Sequence, residues 1–115
     1  MKSKLHSEIC NELNVTYIKK NHDYGDSFAK LREEYNDSIL VRLFDKYCRL
    51  KTLIQGESIQ VEDESIDDTL SDLANYCIME LVERRIERST NNLNRLEPSY
   101  ERSEYTYADL ELENN

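Results

Sequence analysis

Glycine and proline are nearly missing, with two glycines and one proline in 115 residues. So few turn formers exclude a turn-dense all-β architecture and favour long uninterrupted helices. The three cysteines, Cys10, Cys48 and Cys77, are odd in number and form no CxxC pair. This excludes a disulfide framework or a zinc knuckle, so they read as reduced, small core residues. No histidine neighbours them in sequence, which argues against a thiol nucleophile. No stretch approaches the roughly 20 apolar residues of a membrane span, and MKSKLHSEIC at the N-terminus is followed by no apolar run. The expected location is the cytoplasm. An excess of positive charge is also lacking: 24 acidic against 15 basic residues leave a formal charge of -9. Broad contact with a nucleic-acid backbone or an anionic membrane is therefore not expected, and a metal cation or a basic protein surface suits the chain better. There is no P-loop, GxGxxG, HExxH or nucleophile elbow.

What is present is amphipathic periodicity, and 115 residues suit one compact core. Leu5, Ile9, Leu13 and Tyr17, with Thr16 beside them, predict a helix over Ser3 to Lys20. The cluster Asn21 to Asp26 reads as a turn, and Asp26 or Ser27 offers a cap for a short helix from Ser27 to Tyr35. Asn36 and Asp37 offer N-caps for a third helix to Ile54. Its face holds Ile39, Leu43, Leu50 and Ile54, widened by Leu40, Phe44 and Tyr47, and Gly56 closes it. After a connector at Glu57 to Glu62, Ile66, Leu70, Leu73, Cys77 and Leu81 mark a fourth helix from Asp63 to about Arg88. The expectation is an all-α bundle over residues 1–88, of three long helices and one short one. An acidic, tyrosine-bearing tail follows over 89–115, docked or mobile. With 38% hydrophobic residues the core is thin, so burial is expected to be completed by self-association.

Three constellations bear on function. Glu64, Asp68, Asp72 and Asn75 fall on one narrow face of the fourth helix. Such a row of acids is ordinarily a solvated face. Met79, Val82 and Ile86 continue along the same side, however, and apolar residues there argue for a covered surface. Carboxylates at a covered edge suit magnesium, a hard ion that prefers oxygen ligands, so both readings stand. Arg42, Lys46 and Arg49 form a stripe on the third helix, flanked by Asp45. Stacked cations suit phosphate, although these side chains could equally snorkel or pair with the acidic fourth helix. In the turn from Lys20 to Asp26, Asp23 is a candidate metal ligand and Tyr24 a candidate base-stacking residue. His22 is a candidate donor to phosphate, and Gly25 admits close backbone approach, although a helix connection with capping residues explains the same composition.

KNHDYGDSF at Lys20 to Phe28, RLFDKYCRLKTL at Arg42 to Leu53 and DESIDDTLSDLANYCIMEL at Asp63 to Leu81 together resemble the nucleotide modification associated domain family of phages and bacteria. That family is similar in turn to the all-α nucleoside triphosphate pyrophosphohydrolases of MazG and dimeric dUTPase type. The resemblance implies a helical bundle assembled as a homodimer or homotetramer in a bacterial host cell, with magnesium on helix carboxylates and a nucleotide between helices. It implies phosphate hydrolysis with metal-activated water, in phage nucleotide metabolism or modification. Glu64 and Asp68 then match the catalytic acidic pair that opens the last helix, with Asp72 as a third metal ligand. Asn75 continues that row and Lys46 and Arg49 match the basic pair on the preceding helix; with Arg42, Asp23 and Tyr24, singled out above from the residues themselves, they form the candidate substrate-binding set. The chain departs from MazG-type enzymes in one respect: where they carry EExxE, the third helix reads Asp45, Lys46, Tyr47, Cys48, Arg49. Hydrolysis therefore stands beside an alternative, a non-catalytic module that binds a nucleotide or a host protein.

Overall fold

A computed structural model describes residues 1–56 and 63–94 of the chain, apart from the side chains of Tyr24, Asp63, Glu64, Ser65 and Asn94. Every element among these residues is a helix: α1 (Lys2–Tyr24), α2 (Ser27–Glu34), α3 (Ser38–Gln55) and α4 (Asp63–Asn94). The expected all-α class and the count of three long helices and one short one hold. The predicted connector and the tail after Asn94 lie outside the described residues. One compact unit spans Met1–Arg84, and a second begins at Arg85, where the described residues are the last turns of α4.

Two helices run further than periodicity suggested. α1 continues through Asn21, His22 and Asp23 to Tyr24, because those residues are weak helix formers rather than breakers. Gly25 stops it with φ 67° and ψ -165°, a conformation that is essentially restricted to glycine. The expected turn is thus the last turn of a helix plus a two-residue break. α4 likewise passes Arg88 and reaches Asn94, since Ser, Thr and Asn lower helix propensity without ending a helix. Asp26 caps α2 as expected, its Oδ1 accepting from the Ala29 amide at 3.4 Å. Gly56 ends α3 for a different reason from the left-handed cap expected there. Its backbone is extended at φ -68°, and an added Cβ would lie 2.5 Å from the Thr52 carbonyl oxygen, so the position is closed by space.

The first unit buries few large side chains. Leu13 of α1, Phe28 of α2 and Leu53 of α3 are its buried apolar residues among those described, joined by Ser38 and Thr69. The predicted apolar stripes are only partly covered. Leu5 and Ile9 on α1, Leu40, Phe44, Tyr47 and Ile54 on α3, and Leu70 and Leu81 on α4 are exposed. The cysteines are exposed too, correcting their assignment to the core. Cys10 also lies one helical turn from His6, with Sγ 3.8 Å from Nδ1, a pairing that adjacency in sequence did not reveal. Val82 and Ile86, expected beneath a cover, are exposed, while Met79 is half-buried.

The reason is that α4 meets the other helices through polar side chains. Asp72, Tyr76 and Glu80 recur every fourth residue on one face of α4. Asp72 pairs with Lys20 of α1 and Lys46 of α3. Tyr76 lies beside Phe28 of α2, its ring centroid 6.2 Å away, and its hydroxyl oxygen accepts from Arg42 of α3 at 3.4 Å. Glu80 receives a two-pronged guanidinium from Arg32 of α2, at 2.9 and 3.0 Å, with both side chains at most 15% exposed. Asn75 adds a bond from Nδ2 to the Leu13 carbonyl of α1 at 3.2 Å. One face of one helix therefore organises the other three.

Candidate functional site

Among the described residues of the first unit, two cavities bear on the predicted site. The larger, of about 550 Å³, runs along α1 and α4 and is lined by Glu12, Thr16, Asp68, Ser71 and Asp72, with Lys20, Ile9 and Leu13. The smaller, of about 330 Å³, lies where the break after α1 meets α3 and α4. Its floor is aromatic, from Tyr17, Phe28 and Tyr76, with Met79 at the edge. Its polar groups are Lys20, Arg42, Asp72, Asn21, Asn75 and Ser27, and Gly25 brings bare backbone to the wall. An apolar floor with a few converging polar groups is the usual make-up of a small-molecule site.

Arg42 is the most constrained of these groups. Its guanidinium carbon lies 5.3 Å from the Phe28 ring centroid and 5.2 Å from that of Tyr76, within cation–π range of both. One terminal nitrogen donates to the Tyr76 hydroxyl, while the buried Nε has no hydrogen-bond partner. A buried donor left unmatched is unfavourable, so Arg42 holds its place over the two rings with one nitrogen unsatisfied.

Asp72 faces both cavities, and its oxygens are divided between two ammonium groups, Lys20 Nζ at 3.3 Å from Oδ1 and Lys46 Nζ at 2.9 Å from Oδ2. Burial acts to raise its pKa. The Lys46 hydrogen bond and the charges of both lysines outweigh that, and hold the carboxyl below its ordinary value.

The residues predicted from sequence separate clearly in space. Arg42, Asp72 and Asn75 line the smaller cavity, and Lys46 stands behind it on Asp72. Asp68 lines the larger cavity. Arg49 is exposed and lines neither. Asp23 lines neither cavity, and its carboxylate lies 3.2 Å from His22 Nδ1. The side chains of Glu64 and Tyr24 lie outside the described residues. Among the described residues no three acids, histidines or cysteines are gathered closely enough to hold a metal ion as they stand. The donors along the larger cavity are nonetheless all oxygen, apart from Lys20, and so match magnesium in kind.

Sequence spacing gives no site role to Phe28, Tyr76 or the Arg32–Glu80 pair, and marks Tyr17 only as part of the α1 stripe. The signal for two of them was present, since Tyr76 and Glu80 extend the four-residue spacing from Asp72. That row had been continued through Asn75 instead.

The family described as nucleotide modification associated domain 1 matches this chain over residues 20–83, a span that includes all the polar residues of the smaller cavity. No curated protein and no solved structure matches it.

Proposed function

This chain belongs to the nucleotide modification associated domain 1 family, and from that premise we propose that the smaller cavity binds a nucleotide, which the protein hydrolyses as a nucleoside triphosphate pyrophosphohydrolase. The observation that carries the binding is the Arg42 guanidinium over an aromatic floor, in a cavity that Lys20 also lines. Tyr17, Phe28 and Tyr76 offer apolar surface for a base or sugar, Asn21 and Asn75 lie within the same wall, and Arg42 and Lys20 supply positive charge for phosphate. Asp68 and Asp72 would hold magnesium, which when bound neutralises phosphate and activates water. The setting is phage nucleotide metabolism or modification in the host cytoplasm. A second copy of the chain covers the exposed apolar stripes.

A second reading, capture without turnover, rests on α3 carrying Lys46 and Arg49 where MazG-type enzymes carry acids. Purified protein incubated with a panel of nucleoside triphosphates and magnesium separates the two. The expected result is thermal stabilisation by one or more nucleotides and pyrophosphate release that disappears in Asp68→Ala. Stabilisation without release supports capture alone. In Arg42→Met, nucleotide affinity falls about tenfold or more, as for loss of a charge-assisted donor. No stabilisation by any nucleotide overturns the reading.

A further inference from the structure

Lys20 belongs to the wall of both cavities, and its ammonium group is shared with neither Arg42 nor Lys46 but with one oxygen of Asp72. The two lysines on Asp72 are not equivalent. Lys46 is 20% exposed and 2.9 Å from Oδ2, while Lys20 is 60% exposed and 3.3 Å from Oδ1. A long contact from a largely exposed lysine is weak, since water and salt screen it. The sheltered Lys46 contact keeps Asp72 in place when Lys20 leaves. On the side of the smaller cavity the charged lining groups are Lys20, Arg42 and Asp72, while Glu12 and Asp68 line the larger cavity on the other side of Lys20.

A structural tie between α1 and α4 is the ordinary role for such a pair. That tie exists without it, because Asn75 already bonds the Leu13 carbonyl and Leu13 is buried. Arg42 is pinned over two rings and cannot follow an incoming anion, whereas Lys20 carries its charge on a flexible four-carbon stem. It sits five residues before the glycine break at the cavity mouth.

We propose that Lys20 is the anion-capturing residue of the smaller cavity, parked on Asp72 while the cavity is empty and transferred to a phosphate oxygen when a phosphate chain enters. Asp72 is then the competing counter-ion, and Arg42 the fixed anchor. The nucleotide reading supplies the expected ligand, a phosphate chain, but the capture concerns charge alone and is tested with inorganic pyrophosphate in metal-free buffer.

Calorimetric titration of the whole chain is the measurement. Asp72→Asn removes both the competitor and the nearest negative charge, so it binds pyrophosphate about tenfold more tightly than the wild type. Lys20→Met binds about tenfold more weakly, and Lys20→Arg restores most of the affinity. Thermal melts establish that each variant is folded, and a variant that fails this is replaced by Asp72→Ser or Lys20→Gln at the same position. Unchanged or weaker binding in a folded Asp72 variant overturns the proposal, as does unchanged binding in a folded Lys20 variant or no pyrophosphate binding by any form. If the pyrophosphate pattern appears but no nucleoside triphosphate binds more tightly than pyrophosphate, the nucleotide reading falls and the capture stands. If nucleotides bind and Lys20→Met leaves pyrophosphate unaffected, the capture falls alone.

Discussion

At the scale of single residues, Asp72 shows how a charge is kept in a half-buried position. Burial disfavours its ionised form, and two lysines from different helices reverse that preference. The sign of the pH dependence follows. A carboxyl whose folded pKa lies below its unfolded value stabilises the fold above the unfolded value, and the contribution is lost as pH falls through the folded one. Its ordinary value is 3.8, so the loss begins below about pH 4. Urea unfolding at about pH 5 and about pH 3 is expected to show a larger fall in midpoint for wild type than for Asp72→Asn. An equal fall in both proteins contradicts the assignment. Sequence spacing was enough to single out Asp72. Pairing of the third-helix cations with the acidic fourth helix was one of the open readings and Lys46 realises it, whereas Lys20 reaches Asp72 from another helix only through the fold.

At the scale of elements, α4 is the spine, and its contact surface is a ladder of Asp72, Tyr76 and Glu80. The Arg32–Glu80 rung docks the eight-residue α2, which has too few turns to be stable alone. Removing Arg32 leaves Glu80 sheltered with only the longer contact to Arg84, 3.9 Å away. Arg32→Met is therefore expected to cost about 2 kcal/mol in urea unfolding, and Arg32→Met with Glu80→Leu to recover at least about half of that. A cost below about 1 kcal/mol would place the pair among ordinary surface ion pairs. Helix positions were readable because apolar spacing and caps are local signals. Helix ends were less so, since Asn21 to Tyr24 and Ser89 to Asn94 are weak formers whose conformation depends on the turns before them.

At the scale of the whole molecule, much of the apolar stripes that identified the helices is exposed among the described residues. Leu40, Phe44, Tyr47 and Ile54 on α3 are all more than half exposed. Contiguous apolar surface of this kind on a small protein marks an interaction site, and for a homo-oligomer a second copy supplies the cover. Light scattering coupled to size exclusion is expected to give at least the mass of a dimer, and Leu40→Asp with Phe44→Asp to shift it to that of one chain. A wild-type monomer at all concentrations would contradict this.

Local spacing and composition by themselves determined that the chain is all-α and where its long helices lie, and they singled out Arg42 on one helix and Asp72 and Asn75 on another. These are properties of periodicity and turn chemistry, which act over a few residues. Only the tertiary structure decided that α4 packs by its polar face, that Phe28, Tyr76 and Lys20 join the cavity, and that Arg49 and Asp23 stay out of it. Those outcomes depend on which helix faces meet, and charge pairing between distant segments competes there with burial of apolar stripes on terms that no window of sequence contains.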